Sequence, residues 1–145
     1  MARWRRRAVV DRAVLAEKIA SVRDAVARIR EVLPPSSDAL LADRTRREIV
    51  ILNLFVALQD CLALAAHWLA DAGLDVPQSY AEEFRNLGDR GVIDPELAAR
   101  LAAAAGLRNL VAHRYGALDW QRIHEFAATR LDDLLAFCEA LARRA

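Results

Sequence analysis

Apolar residues along the chain recur three or four positions apart, a spacing that places them on one face of an α-helix. The first stripe begins after Val14 and consists of Leu15, Ile19, Val22, Val26, Ile29 and Leu33. Pro34 and Pro35 follow it, and proline breaks a helix because it lacks a backbone N–H and clashes with the preceding turn. The pattern therefore predicts an amphipathic helix that ends before residue 34.

The next apolar segment is longer and has no polar face over most of its length. The Ser-Ser-Asp run at 36–38 offers N-cap residues, and Gly73 is placed to end a helix that runs to about Ala72. Its first part is polar, whereas residues 49–70 are apolar nearly all round. Such a helix must be covered on every side, so the segment predicts either a central position or a subunit interface.

The second half of the chain carries three further helix starts. Residues 79–82, Ser-Tyr-Ala-Glu, have a capping-box pattern that opens a short helix, which Gly88 is expected to close. Residues 94–96, Asp-Pro-Glu, open a fourth helix that continues toward Gly116. Asp119 can cap a fifth helix. The predicted core face of that helix consists of Ile123, Ala127, Leu131, Leu134, Cys138 and Leu141.

These elements predict an all-α fold. No segment alternates apolar and polar residues over the length of a strand, and the helix formers Ala, Leu and Arg dominate the 145 residues. We expect an up-and-down four-helix bundle with a short extra helix between the second and third long ones. Residues 9–145 form a single domain in this prediction, and residues 1–8, which include four arginines, form a flexible basic arm.

The net charge and the two cysteines indicate which partners and which cellular compartment to expect. The 21 Lys and Arg residues against 20 Asp and Glu residues leave a net charge of +1, so any contact with nucleic acid must be local. Cys61 and Cys138 lie within apolar helical patterns without metal-ligand spacing. They indicate small core residues in a reducing cytoplasm.

Two apolar runs bear on export and on membranes. The run at residues 8–10 is too short for a signal peptide. Residues 49–70 are long enough to span a bilayer, but four polar residues interrupt them: Asn53, Gln59, Asp60 and His67. We therefore expect a buried helix of a soluble cytoplasmic protein with no membrane partner.

Candidate chemistry is concentrated at the end of the fourth predicted helix. The chain has no Gly-rich phosphate loop, no HExxH or GxSxG motif and no Cys/His metal spacing, so neither a metal nor a nucleotide cofactor is indicated. Residues 108–116, Arg-Asn-Leu-Val-Ala-His-Arg-Tyr-Gly, instead place charge, imidazole and phenol in an Ala/Leu-rich helix. The simplest interpretation is helix termination, because Arg and His favour a helix C-terminus and glycine ends it.

The order of these residues carries a resemblance to a known family. Arg108, His113 and Tyr115 spell R-x4-H-x-Y, which resembles the signature of the HepT-like branch of the HEPN superfamily, toxins of bacterial toxin–antitoxin pairs. Two further segments, 69–80 and 91–97, are similar to that family in the same order. The resemblance covers roughly residues 14–141. The basic arm lies outside the family pattern, and the charge of Arg114 has no assigned role.

The resemblance implies a metal-independent ribonuclease that acts on RNA as a homodimer. It also implies a partner, a small nucleotidyltransferase antitoxin (MNT), that neutralises the ribonuclease. On an ideal helix, Arg108 and His113 point about 140° apart, so one straight helix cannot aim both into one narrow pocket. Either the helix distorts near Ala112, or two copies meet across a two-fold axis and share a cleft. A dimer also supplies two histidines as acid and base.

Each motif residue has an expected role under this resemblance. His113 is the general acid or base, because its reference pKa lies near operating pH. Arg108 holds the scissile phosphate and offsets charge in the transition state. Asn109 orients the phosphate or the imidazole. Tyr115 either stacks a base or provides the hydroxyl to which the antitoxin attaches AMP.

A weaker signal lies in the second helix, where Asn53, Asp60 and His67 recur every seven residues and form a polar stripe. A buried Asp60 needs a partner, and Arg108 is the expected one. Alternatively, the stripe faces a solvated groove or a polar dimer seam.

Two function classes follow from these observations. The leading hypothesis is an endoribonuclease toxin of a type VII-like pair, whose antitoxin AMPylates Tyr115. The alternative is a non-catalytic helical dimer that serves as the regulatory or substrate-binding subunit of a nucleotidyltransferase. The intact cluster of Arg108, His113 and Tyr115 favours the enzyme, because a scaffold has no need of it.

Overall fold

In the computed structural model, each predicted apolar stripe lies in a helix. The structure describes residues 11–113 and 115–145, with all their side chains except those of His113 and Tyr115. These residues form seven α-helices: α1 (Arg12–Val32), α2 (Ser37–Ala42), α3 (Arg44–Asp71), α4 (Tyr80–Asp89), α5 (Pro95–His113), α6 (Trp120–Thr129) and α7 (Leu131–Arg144). A 3-10 helix, Tyr115–Ala117, lies between α5 and α6. The predicted basic arm at residues 1–8 is outside the described residues.

The four long elements of the bundle are α1, α3, α5 and the α6–α7 pair. Helix α3 is central, since it contacts α1, α2, α4, α5 and α7. The short extra helix is α4, which packs against α5 and α3. The predicted all-α class is confirmed.

Helix α1 has the bounds that its apolar stripe predicts. The Asp11 carboxylate accepts a hydrogen bond from the backbone N–H of Ala13 at 2.8 Å, which caps the first turn. The helix ends at Val32, before the two prolines. The stripe residues Leu15, Ile19, Val22, Val26 and Ile29 are all buried.

The second predicted helix is two helices, because the chain breaks at Asp43. Ser36 caps α2 by accepting a hydrogen bond from the N–H of Ala39 at 3.1 Å. Asp43 then has an extended backbone, and its carboxylate accepts the N–H of Arg46 at 3.1 Å. An aspartate that caps a new helix competes with continuation of the old one. The prediction of one helix from residue 36 to Ala72 is therefore wrong at this point.

Gly73 ends α3 as predicted. Its φ of +75° lies in the left-handed region, which glycine adopts without steric cost. The N–H of Leu74 donates to the carbonyl of Leu69 at 3.0 Å, and the N–H of Gly73 donates to Ala70 at 3.0 Å. This pair of bonds is a Schellman motif, which satisfies the last carbonyls of the helix.

Gly88 does not close α4, contrary to prediction. It lies inside the helix and is buried, and the left-handed residue that follows α4 is Gly91, with a φ of +73°. A Cβ at Gly88 would lie 2.6 Å from the Cβ of Ala98, so this glycine lets α4 approach α5 closely. The start of α4 after Ser79 is confirmed, but the Ser79 side chain makes no capping hydrogen bond.

The fourth and fifth predicted helices end earlier than expected. Helix α5 is described as far as His113, and Gly116 lies in the 3-10 helix rather than in α5. Asp119 caps α6 as predicted, by accepting the N–H of Gln121 at 3.1 Å. The chain then breaks at Arg130, just after the Thr129 hydroxyl donates to the Glu125 carbonyl at 2.7 Å, a bond that bends helices.

Helix α3 satisfies the length and composition of a membrane span, with a mean hydropathy of 2.1 over its most apolar 18 residues. Half of that window is buried inside the bundle, and core helices commonly meet the same criteria. Cys61 on this helix and Cys138 on α7 are both buried and free, as predicted. The burial of α3 is incomplete, because Leu52 is 62% exposed.

Candidate active site

Arg108 lies where α5 meets α3 and α4. Its side chain is half-buried, and its guanidinium lies over two aromatic rings. The Cζ atom is 5.0 Å from the centroid of the Tyr80 ring on α4 and 5.5 Å from that of the Phe55 ring on α3. Both distances suit a cation–π interaction, which holds a guanidinium without neutralising it.

Two neutral side chains bind the nitrogens of Arg108. Its Nε donates to Oε1 of Gln59 at 2.9 Å, and its Nη1 donates to Oδ1 of Asn109 at 3.2 Å. Among the described side chains, no carboxylate forms an ion pair with Arg108. In the described structure no ion pair therefore offsets the charge of the predicted site arginine, and Asn109, which was predicted as a supporting residue, is in contact with it.

Asp60 is not the partner of Arg108. Its carboxylate lies 3.7 Å from the Nζ atom of Lys18 on α1. Consecutive residues on a helix point about 100° apart, so Gln59 faces α5 while Asp60 faces α1. The predicted pairing with Arg108 is wrong for this reason.

The predicted polar stripe of α3 is not a single site. The Asn53 amide donates to the carbonyl of Ile49 in its own helix at 2.8 Å, and His67 is exposed. Asp60 is paired with Lys18. The three side chains of the predicted stripe therefore lie in three separate environments. A seven-residue repeat on a long helix does not by itself bring side chains together.

The side chains of His113 and Tyr115 are outside the described residues, so their positions relative to Arg108 stay predictions. The backbone is informative, because α5 continues as a regular α-helix through Ala112 to His113. Of the two alternatives for bringing Arg108 and His113 into one cleft, distortion near Ala112 is therefore not what the helix shows.

An apolar groove lies beside Arg108, between α3 and α5. Its volume is about 360 Å³, and its lining consists of Glu48, Ile51, Leu52, Phe55, Val111 and Ala112. Phe55 belongs both to this groove and to the surroundings of Arg108. The exposed apolar surface of α3 thus extends to the motif-bearing end of α5.

A buried carboxyl group lies one turn beyond Tyr80 in α4. Glu83 is 4% exposed, and its Oε2 atom has no hydrogen-bond partner among the described residues. Burial raises the pKa of Glu83 to about 7, because an apolar environment disfavours the charged form.

Sequence reasoning missed three residues that hold Arg108: Phe55, Gln59 and Tyr80. The first two are four positions apart on α3, a spacing that places them on one helix face. The available signal for Gln59 was that it is one of the four polar residues that interrupt the apolar run at 49–70. In the described part of the chain, no group of three or more His, Cys, Asp or Glu side chains is arranged to hold a metal ion.

Known proteins that resemble this chain include an mRNA nuclease and a putative RNase. A family model described as Ribonuclease HepT-like matches residues 22–141. The mRNA nuclease HepT of Shewanella oneidensis is 28% identical over 128 residues, which cover 88% of this chain and 96% of that protein. A putative RNase of Archaeoglobus fulgidus is 28% identical over 110 residues, which cover 76% of this chain and 82% of that protein.

A solved structure has the same fold. It is the tri-AMPylated HEPN toxin of Shewanella oneidensis in complex with an MNT antitoxin, and it matches with a TM-score of 0.83 at 26% identity. The match covers 92% of this chain and 99% of that one. The chain therefore belongs to the family of HepT-like ribonucleases, and the endoribonuclease predicted from its R-x4-H-x-Y motif is confirmed.

Proposed function

We propose that this ribonuclease is the toxin of a toxin–antitoxin pair and that it cleaves RNA without a metal ion, using Arg108 and His113. The observation that carries the proposal is the environment of Arg108. Two rings and two neutral amides hold its guanidinium, so its positive charge is available to a phosphate. A guanidinium binds phosphate through paired N–H groups and stabilises the charge that develops in the transition state.

The proposed reaction uses the 2′-hydroxyl of the RNA as its nucleophile. The 2′-oxygen bonds to phosphorus, the bond from phosphorus to the 5′-oxygen breaks, and a 2′,3′-cyclic phosphate remains. A general base takes the 2′-OH proton, and a general acid gives a proton to the leaving 5′-oxygen. His113 fills one of these roles, since imidazole titrates near neutral pH.

In a homodimer, the His113 side chain of the second copy can take the other of these two roles, so that one histidine is the base and the other is the acid. Helix α5 includes Ala112, and positions 108 and 113 lie about 140° apart on an ideal helix. A cleft shared between two copies is the way in which we propose that the two side chains are combined. The apolar groove lined by Leu52, Phe55 and Val111 is the surface we assign to the second copy. Docking there buries exposed Leu52 next to the motif.

The partner that we propose is an MNT antitoxin that transfers AMP from ATP to Tyr115. The phenol oxygen attacks the α-phosphorus, pyrophosphate leaves, and the phenol proton is released. Tyr115 begins the 3-10 helix after α5, and the neighbouring Gly116 and Ala117 are exposed, so an enzyme can reach this segment. The Shewanella oneidensis relative is AMPylated and bound to an MNT antitoxin, which supports the proposal.

Expression of the chain alone tests the proposed function. We expect arrested growth and degraded RNA, and we expect the His113→Ala variant to restore both growth and intact RNA. Wild-type protein that leaves growth and RNA unchanged would contradict a toxin. In that case, stimulation of a neighbouring nucleotidyltransferase by the chain would instead support the alternative of a non-catalytic subunit.

A further inference from the structure

The Nε–H of Arg108 donates a hydrogen bond to an uncharged acceptor, the amide oxygen of Gln59, at 2.9 Å. We infer that Gln59 is a positioning residue for RNA cleavage, which orients the Arg108 guanidinium toward the scissile phosphate while leaving its charge uncompensated. This inference rests on the proposed function, because it assigns Gln59 a role through the phosphate-binding arginine.

The hydrogen bond and the rings restrict different motions of Arg108. The rings of Phe55 and Tyr80, at 5.5 and 5.0 Å from Cζ, favour a particular plane for the flat guanidinium. Within that plane the group can still rotate about its stem. The bond from Nε to Gln59 fixes this rotation, since a hydrogen bond weakens steeply when it is bent.

The remaining donors of Arg108 are then presented as a group. A guanidinium has five N–H donors, of which Gln59 and Asn109 each accept one. Three donors on the two terminal nitrogens are left for a ligand. Two of them can form the paired contacts that recognise a phosphate.

The absence of charge on Gln59 is as important as its position. The next residue, Asp60, is a carboxylate, but it faces α1 and is paired with Lys18 at 3.7 Å. A carboxylate at position 59 would lie against Arg108 and form a salt bridge, which competes with phosphate for the same cation. Of the adjacent residues Gln59 and Asp60, it is therefore the neutral one that contacts Arg108.

Two substitutions separate the geometry from the charge. Gln59→Glu keeps an acceptor for Nε but adds a negative charge, whereas Gln59→Leu removes the acceptor and adds no charge. Gln121 is exposed on α6 and is not one of the side chains that contact Arg108, so Gln121→Glu and Gln121→Leu are the matched controls. All measurements use the full chain and a single-stranded RNA oligonucleotide, with kcat and KM determined from pH 5 to pH 8.

We expect Gln59→Glu to raise KM about tenfold at pH 8, the usual size of one lost charge-assisted contact. This defect should persist from pH 8 to pH 5, because the salt bridge to Arg108 lowers the pKa of the introduced carboxyl group and keeps it ionised. Gln59→Leu should lower kcat about tenfold at every pH, since the charge remains but its orientation is lost. The two Gln121 variants should match the wild type. A merely structural role predicts lower stability and the same change in kcat and KM for both Gln59 variants, and that result would overturn the inference.

A spectroscopic readout keeps the inference separate from the proposed function. The Nε–H signal of Arg108, identified by its loss in Arg108→Lys, should be protected from exchange with water in the wild type and unprotected in Gln59→Leu. A signal that stays protected in Gln59→Leu overturns the role of Gln59, whatever the activity. If the wild type cleaves no RNA, the proposed function fails, while this signal still decides whether Gln59 holds Arg108.

Discussion

Gly88 of α4 and Ala98 of α5 pack so closely that a methyl group at position 88 would lie 2.6 Å from the Ala98 Cβ. This contact sets the distance between the helix that carries Tyr80 and the helix that carries Arg108. A Cβ added at Gly106, on the same α5, would meet no atom within 4 Å, so Gly88 and Gly106 differ in what a side chain would meet.

We expect Gly88→Ala to destabilise the protein by about 2 kcal/mol, because overpacking forces the two helices apart. Gly106→Ala should stabilise it by about 0.5 to 1 kcal/mol, the usual gain for alanine within a helix. Urea denaturation of both variants measures the difference. Equal stability of Gly88→Ala and wild type would contradict the close packing of α4 on α5.

The buried carboxyl of Glu83 predicts a pH dependence of stability. Burial raises its pKa in the folded state to about 7, from an ordinary value of 4.5, so between these pH values the folded state holds a proton that the unfolded state has lost. The contribution of Glu83 to stability therefore falls as pH rises from 4.5 through 7 and stays low above that.

Glu83→Gln should accordingly be more stable than the wild type at pH 8 by on the order of 2 kcal/mol, and this gap should close toward pH 5. The exposed neighbour Glu82 is the control, and Glu82→Gln should show no such pH-dependent gain. Denaturation at pH 5, 6.5 and 8 checks both variants. If the stability difference between Glu83→Gln and the wild type instead grew as the pH fell, the prediction would be contradicted, because the Glu83 carboxyl would then be ionised and stabilising in the folded state.

Much of the fold could be predicted from apolar spacing, because burial of a stripe is what selects a helix. The breaks at Asp43 and Arg130 could not, since they come from local side-chain hydrogen bonds. The Asp43 carboxylate accepts the backbone N–H of Arg46, and the Thr129 hydroxyl donates to the Glu125 carbonyl. Likewise, Arg108 could be identified from its motif, but its partner could not. Gln59 and Asp60 are adjacent in sequence, and only the rotation of α3 decides which of them faces α5.

The exposed part of α3 predicts the dimer interface. Leu52 is 62% exposed in the apolar groove, so Leu52→Glu should convert a dimer of two 16.1 kDa chains into a monomer without loss of helicity. Leu41 on α2 is 53% exposed outside the groove, and Leu41→Glu should stay dimeric. Leu54 is fully buried, so a charge at this position would disrupt the core and would not test the interface.

Light scattering at micromolar concentration measures these states, and circular dichroism measures helicity. A wild-type protein that is monomeric would refute the shared cleft. So would a Leu52→Glu variant that remains a dimer, because the second copy would then lie on another surface.

The assignment of Tyr115 as the AMP acceptor predicts a change in mass. Protein co-expressed with its neighbouring nucleotidyltransferase should carry one or more AMP units on the peptide that contains Tyr115, and its ribonuclease activity should be lost. The added phosphate charge would occupy the contacts that RNA makes with Arg108. Mass spectrometry of the peptide is the measurement. Neutralisation of Tyr115→Phe as readily as of wild type would indicate inhibition by binding alone.

Cleavage of a single-stranded RNA oligonucleotide in excess EDTA tests the central claim most directly. We expect the purified wild type to cut the RNA and leave a 2′,3′-cyclic phosphate, and we expect Arg108→Ala and His113→Ala each to lose at least roughly a hundredfold in rate. Product ends are identified by mass spectrometry. Strict dependence on a divalent ion, or undiminished cleavage by His113→Ala, would contradict the proposed mechanism.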